Sequence, residues 1–312
     1  MNEINKMMNP RIVFMGSPAF ALPTLQQLVR EYNQSIVGVV TQPDRPAGRG
    51  RILEPPPVKK FASSLDLPIY QPEKLKIKGA LDPIFQWKPE LVIVVAYGQI
   101  LPPELLAYPK YGCINLHASL LPRWRGASPI QAAILAGDEK TGVTIMKMDS
   151  KLDNGPVIAQ RELTIGSQDD SQTISEKLSI LGADLLINIL QVYLAGEIQI
   201  QPQNIDQVTY ARLVKKEDGL LDFNQSAIEL ERKVRAFSPW PGTYFIWQSR
   251  TIKVIEAHVI MNQNIHPSQK EIIGDNPIIG TKQDCLVLDI VQPEGKKPMP
   301  GRDFLRGVID WS

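Results

Sequence analysis

Cysteine is scarce: the 2 cysteines of this 312-residue chain, Cys113 and Cys285, lie far apart and form no CxxC pair. That excludes a disulfide scaffold and a thiolate zinc site, and it fits a reducing compartment. Long apolar runs are missing too. The longest wholly apolar stretch, Leu91 to Tyr97, is far below the roughly 20 residues of a membrane-crossing helix. The opening MNEINKMMNP carries Glu3 and no apolar centre, so it does not read as a signal peptide. A cytoplasmic protein with no membrane partner is expected. Charge of one sign is also lacking, because 34 Lys plus Arg against 33 Asp plus Glu leave +1. Contact with nucleic acid must then come from local patches and not from a global field. Finally, the chain holds no GxGxxG after a strand, no GxxxxGK followed by Ser or Thr, no GxSxG and no HExxH. Dinucleotide, nucleoside triphosphate, serine-hydrolase and zincin chemistries lack their devices.

What is present belongs to folded domains: 43% hydrophobic and 21% charged residues sit near globular averages. The length favours two domains, since one usually spans about 100 to 200 residues. The first half alternates short β-branched runs with helical patterns. Strands are expected at Arg11 to Met15, Ser35 to Thr41, Leu91 to Val95, Cys113 to Leu116 and Gly142 to Met148. Continuous runs such as LVIVV indicate burial on both faces, hence a mostly parallel sheet in an α/β domain. Ser17-Pro18 and Ser128-Pro129 each set an N-cap residue before a first-turn proline. Ile174, Leu178, Leu181, Leu185 and Ile189 recur at helical spacing, with Thr173 and Glu176 available as a capping box. From about Gln199 the texture turns polar, then β-rich at Thr243 to Trp247, Ile252 to Ile260 and Cys285 to Val291. A small β-barrel or sandwich follows, with domains at 1–208 and 209–312. Residues 41–60 are the exception to compactness, because their prolines and glycines oppose regular structure over most of the segment. Arg45, Arg49, Arg51, Lys59 and Lys60 against Asp44 and Glu54 make it a basic arm, and so long a loop is usually functional or disordered.

Cys113-Ile114-Asn115-Leu116-His117 ends a buried-type strand, and alternation sets Cys113, Asn115 and His117 on one side. Ligands bind at the carboxyl ends of such strands. Asn115 offers an amide donor and His117 a group that exchanges a proton near neutrality. Taken alone, one Asn and one His beside a turn are more often structural than catalytic. His258 and His266 read as surface or structural residues.

The residues after His117, Ala118-Ser119-Leu120-Leu121-Pro122-Arg123-Trp124-Arg125-Gly126, change that balance. Asn-x-His followed by Ser-Leu-Leu-Pro-Arg and then Arg-Gly resembles the signature of the folate-dependent formyltransferases. Further matches run over Phe14 to Pro18, Thr41 to Gly50, Val94 to Pro102, Gly142 to Gly155 and Ala236 to Pro241, with Lys296-Lys297 near the end. They are most similar to the branch that formylates the initiator aminoacyl-tRNA. Asn154 departs from the pattern, where Thr is expected more often.

The resemblance implies a Rossmann-like formyl-transfer and folate-binding domain, followed by an OB-like β-barrel that assists tRNA binding. It implies Asn115, His117 and Asp153 as the catalytic trio, and Ser119, Leu120, Leu121 and Pro122 as lining the folate site with Tyr97 and Gly98. It also implies 10-formyltetrahydrofolate as donor and the α-amine of methionyl initiator tRNA as acceptor; no metal and a monomer are expected beside it. Arg45, Arg49 and Arg51 would reach the acceptor stem, with Lys215, Lys216, Lys296 and Lys297 as further cations; each lysine pair alone reads as ordinary surface. The residue chemistry agrees. Formyl transfer between two nitrogens passes through a tetrahedral intermediate, and one lost donor to its oxygen typically costs on the order of 3 kcal/mol. An α-amine with a reference pKa of about 7.7 to 8.0 is substantially neutral at physiological pH, so neither strong base nor covalent intermediate is needed. His117 could donate to the oxygen or relay the amine proton. Asp153 could steady it, although Asp153-Asn154-Gly155 is also a strong turn sequence. Arg123, Trp124 and Arg125 would hold an anion or stacked rings, or form a solvated loop. Alternatives are a hydrolase or dehydrogenase module, a sugar formyltransferase, or a non-catalytic tRNA-binding protein.

Overall fold

The computed structural model describes residues 8–47, 52–261, 264–308 and 310–311. In chain order, its strands in the first two thirds are β1 Ile12–Gly16, β2 Ile36–Val40, β3 Arg45–Ala47, β4 Ile52–Glu54, β5 Ile69–Tyr70, β6 Leu91–Val95, β7 Cys113–His117, β8 Arg125–Gly126, β9 Lys140–Lys147, β10 Val157–Thr164 and β11 Tyr210–Ala211. Helices α1 Leu22–Tyr32, α2 Pro57–Ser63, α3 Asp82–Gln86, α4 Pro103–Ala107, α5 Pro129–Ala136 and α6 Ser171–Leu194 lie among them. By contacts the chain divides into two units: Met1–Gly126 with Thr141–Leu163 and Ser175–Tyr210, and Ala127–Lys140 with Thr164–Ile174 and Ala211–Ser312. The second unit thus takes in α5 and the start of α6 from ahead of residue 208.

In the first unit a seven-stranded sheet has the order β10-β9-β7-β6-β1-β2-β5. The β1–β2, β1–β6, β2–β5 and β6–β7 pairs are parallel, whereas β9 runs antiparallel to β7. All five residues of β1 and of β6 are buried, as doubly covered strands require. Register sets Val92 against Cys113 and Val94 against Asn115. One face of β7 therefore continues the core of Val13, Met15, Val92, Val94 and Cys113. Leu116 points the other way, under α6, where a Cβ on Gly182 would lie 2.5 Å from its Cδ1. Gly182 is what lets the helix seat that closely.

Local signals were met unevenly. A 3-10 turn, Ala19–Ala21, intervenes before α1, which starts from Ala21 and not from Ser17-Pro18. Ser128 does precede α5, but its hydroxyl caps no α5 amide and instead accepts from Val214 N–H at 3.2 Å. At α6 the reciprocal cap is Asp170 with Thr173, at 2.8 and 3.0 Å, in place of Thr173 with Glu176. Helix α6 is long and apolar enough by length and composition to cross a membrane, and half of its most apolar window is buried within the protein; a core helix has the same character. The basic arm holds more order than expected: β3 and β4 pair antiparallel, Arg45 opposite Glu54, and Arg49 and Arg51 lie outside the described residues.

The second unit adds α7 Ala227–Ala236, β12 Thr243–Trp247, β13 Arg250–Ile260, β14 Lys270–Ile273, β15 Asn276–Gly280, β16 Cys285–Pro293, β17 Met299–Pro300 and α8 Gly301–Leu305. The expected barrel takes the form of an antiparallel sheet of order β12-β13-β16-β15-β14, with β17 on β16. Bulges fall in β13 between Val254 and Ala257, where they increase strand bend and twist. Phe245, Trp247, Phe304 and Trp311 meet edge-to-face at 5.4 to 6.4 Å and close its core. Ser226 and Glu229 form the capping box that starts α7.

Candidate active site

β7 carries Asn115 half-buried and His117 buried on the face that Cys113 shares with the core. Because β9 runs antiparallel, with Lys147 opposite Ile114 and Thr144 opposite His117, the segment after Lys147 leaves the sheet at the wrong end of β7. It must fold back along the strand to reach His117. It does so: Asp153 Oδ2 stands 3.9 Å from His117 Nδ1, with both side chains largely buried. The same oxygen accepts the Gly126 N–H at 2.8 Å. A turn this tight admits no side chain at Gly155, where a Cβ would lie 1.7 Å from the Lys147 carbonyl oxygen.

His117 Nε2 lies 3.0 Å from the Trp124 carbonyl. A carbonyl only accepts, so the ring hydrogen sits on Nε2 and donates to it. Nδ1, facing Asp153, is left as the nitrogen that can gain or lose a proton. The loop between β7 and β8 is held by its own Ser119 and by side chains of β9 and β10. Ser119 Oγ donates to the Arg123 carbonyl at 2.6 Å, Thr144 Oγ1 donates to the Ser119 carbonyl at 2.6 Å and accepts from Leu121 N–H at 3.0 Å, and Gln160 Nε2 donates to the Leu121 carbonyl at 2.8 Å. Leu120, Leu121, Pro122 and Arg123 line one side of a cavity of about 480 Å³, opposite Asp206 to Thr209. None of Asn115, His117 and Asp153 lines it.

Tyr97 and Gly98 follow β6. Gly98 has φ 85°, and Tyr97 is 2% exposed with a hydroxyl that has no hydrogen-bond partner among the described residues. Burial raises its pKa above the phenol value, and its carbonyl accepts from Gln42 Nε2 at 3.0 Å. Burial likewise pushes the Cys113 thiol up to about 12, which leaves it an inert core residue.

Arg123 stacks over the Trp124 ring at 4.3 Å. Arg125 is neither solvated nor open to an anion. It is 6% exposed and donates to Gln203 Oε1 and Asn154 Oδ1. Gln203 in turn donates to the carbonyls of Asp153 and Gly155. Neither partnership was visible in the sequence: Gln203 sits in the polar run that begins near Gln199, and no spacing ties it to Arg125.

Among the expected tRNA-binding cations, Arg45 pairs with Glu73 at 3.3 Å, both exposed. Lys59 is spent on Asp44 at 2.7 Å, which, helped by Gln71, holds that carboxyl below its usual range. Lys215, Lys216, Lys296 and Lys297 are exposed on the second unit. Among the described residues no group of three or more His, Cys, Asp or Glu is placed to hold a metal ion.

A parallel-sheet unit whose buried strand end joins an imidazole to a folded-back carboxylate has relatives. The Formyl transferase family matches residues 10–190, and the Formyl transferase C-terminal domain family matches 213–308. A sugar 3N-formyl transferase, solved in the presence of dTDP and 5-N-formyl-THF, shares the fold at a TM-score of 0.68 with 18% identity, covering 93% of this chain and 100% of that one. Fold and site thus define a formyl transferase. A methionyl-tRNA formyltransferase of Bacillus pumilus is 47% identical over 96% of this chain and 95% of its own length, and one of Roseiflexus sp. is 42% identical over 96% and 92%. At that identity and coverage the chain belongs to the methionyl-tRNA formyltransferase family.

Proposed function

We propose that this chain transfers the formyl group of 10-formyltetrahydrofolate to the free α-amino group of methionyl initiator tRNA, giving N-formylmethionyl-tRNA for translation initiation. The kinship over nearly the whole chain supports the reaction. The observation that carries the site is the approach of Asp153 to His117 Nδ1 over the strand face of Asn115. The amine nitrogen attacks the formyl carbon, forming the new C–N bond, and the bond to the donor nitrogen then breaks. Between these events the formyl oxygen carries negative charge, and the Asn115 amide is the donor assigned to it. The proton shed by the amine has to reach the departing nitrogen. His117 Nδ1, which faces Asp153 Oδ2 at 3.9 Å, is the group assigned to carry it.

Loop 119–122, with the backbone at Tyr97 and Gly98, is assigned to the folate. A pterin slot needs apolar walls and a few fixed backbone groups more than side-chain charge, and the Ser119 hydroxyl, spent on the Arg123 carbonyl, suits a wall of that kind. Arg45, Arg49 and Arg51 of the arm are assigned to the tRNA acceptor end, and Lys215, Lys216, Lys296 and Lys297 to its backbone. Such cations position the ligand, while unpaired ends supply identity. With an aminoacyl-tRNA as substrate, the reaction is assigned to the cytoplasm. Incubation with 10-formyltetrahydrofolate and charged initiator tRNA, followed by mass analysis of the released amino acid, tests the reading: formylmethionine is expected, and unmodified methionine alone would refute it.

A further inference from the structure

We infer that Gln203, in the segment after α6, is a positioning residue for this reaction, holding the Asp153 turn in place through Arg125 and two backbone carbonyls. The inference rests on the formyl-transfer reading. Gln203 Nε2 donates to the Asp153 carbonyl at 2.9 Å and to the Gly155 carbonyl at 2.7 Å. Its Oε1 accepts from Arg125 Nε at 3.0 Å and Nη2 at 2.7 Å. Two donors and two lone pairs exhaust what a carboxamide can do. Arg125 Nη1 donates to Asn154 Oδ1 at 2.9 Å, and Asn154 Nδ2 donates to Asp149 Oδ2 at 2.7 Å.

Every strand of this net ends on residues 149–155. None ends on the apolar core. Asp153 itself sits at φ 44°, a left-handed conformation a non-glycine residue keeps only when its surroundings impose it. The carbonyls on either side of Asn154 are the ones Gln203 grips, so the amide fixes the direction in which the Asp153 side chain leaves the backbone. Residue 203 falls between the two segments that match the family, 10–190 and 213–308. The interaction thus ties a connecting segment to the reacting centre. It also accounts for Asn at 154: its amide both accepts from Arg125 and donates to Asp149 across a gap that a shorter hydroxyl spans less well.

The test is kinetic, on the full chain, with Gln203→Ala, Gln203→Glu and, as a neighbouring control, Ile205→Ala at a position 80% exposed. Misplacement of a reacting group by about 1 Å can cost 10²-fold. Gln203→Ala is therefore expected to lower kcat about ten- to a hundredfold while KM for donor and for tRNA each stay within about twofold. Gln203→Glu separates positioning from mere support. It offers Arg125 a stronger, charged partner, so a structural role predicts parent-like activity. It loses both donors and sets a carboxylate oxygen against the Asp153 and Gly155 carbonyls, so a positioning role predicts a loss of kcat like that of Gln203→Ala. Should the alanine variant fail to fold, the glutamate variant decides alone. Parent-like kcat in either variant, or KM rising in proportion as kcat falls, overturns the inference. Absence of transfer in the unaltered chain would instead overturn the reaction assigned to it.

Discussion

Asp153 gives one carboxylate oxygen two partners, the Gly126 N–H at 2.8 Å and His117 Nδ1 at 3.9 Å. The first contact is structural and needs only an acceptor. The second needs charge, because at that distance the interaction is Coulombic and not a hydrogen bond. Asp153→Asn separates them: the amide oxygen still accepts from Gly126, while the negative charge is gone. The variant is expected to fold and bind the folate donor as the parent does, and to slow single-turnover transfer by about 10²-fold or more, the lower range for a lost acid–base contribution. Rapid-quench measurement with preloaded donor reads that step directly, and a parent-like rate would remove Asp153 from the chemistry. Arg125 shows a different lesson at the same scale. Its place beside Gly126 and ahead of a helix start suggested an anion site, yet its guanidinium is buried among amide oxygens and serves the Asp153 turn. A motif names the residues that matter without saying whether each faces the substrate or the scaffold.

Elements were legible in proportion to how locally they are determined. β1, β2, β6, β7 and β9 stand out as strands because a both-sides-buried strand must be apolar throughout. β10 is not among the expected strands, although its more and less exposed positions alternate as a strand at the sheet edge does. The cap of α6 lies three residues ahead of the expected Thr173, because Asp170 is the stronger acceptor. The meeting of Asp153 with His117 could be inferred only through family likeness. It depends on β9 running antiparallel and on the following segment doubling back, and no spacing encodes that. Gly155 makes the return possible. In Gly155→Ala the added methyl would collide with the Lys147 carbonyl, backbone that cannot swing aside, so the turn must open at a cost of about 1 to 3 kcal/mol. The expected outcome is a lower denaturation midpoint together with loss of transfer, measured on the same preparation; loss of stability without loss of rate would show that the turn does not set the site. The β3–β4 hairpin gives a second test. Arg45 is paired with Glu73 at an exposed site, a pair of a kind worth about 0 to 1 kcal/mol, so little is given up when a phosphate replaces that partner. Arg45→Ala should raise KM for tRNA, leave KM for the folate donor unchanged, and reduce the slope of log affinity against log salt by about 1. An unchanged slope would take Arg45 off the RNA.

At the scale of the whole molecule, the two units keep their titrating groups in different ways. The first holds weak acids neutral by burial, although its Asp44 is lowered by Lys59 and Gln71. Cys113 and Tyr193 are each pushed up to about 12 from 9.0 and 10.0, and Tyr97 is raised as well, desolvation being the main cause in each. The second holds carboxylates charged at its surface: Asp218 is drawn down to about 2, chiefly by hydrogen bonds from Arg212, and Glu229 is lowered by Ser226. The signs are opposite. A raised acid binds its proton more tightly when folded, so its contribution is complete below pH 9 to 10 and disappears as pH climbs toward 12. A lowered carboxylate contributes above about pH 4 and loses that contribution as pH falls toward 2, by an amount that solvent screening keeps small at exposed positions. Alkali should therefore loosen the first unit ahead of the second. Each unit contains one free, buried cysteine, Cys113 in the first and Cys285 in the second, and these serve as paired reporters. Once exposed, both thiols gain reactivity with pH alike, so the ratio of their labelling rates cancels the chemistry and leaves the difference in opening. Cys285 is also raised by burial, whereas the first unit adds the raised Tyr97 and Tyr193 to Cys113. Labelling with an uncharged alkylating reagent from pH 8 to about 10.5, followed by peptide mass spectrometry, should show the Cys113-to-Cys285 ratio climbing steadily with pH. A ratio that stays flat would mean that the buried acids of the first unit are not what limits its stability in alkali.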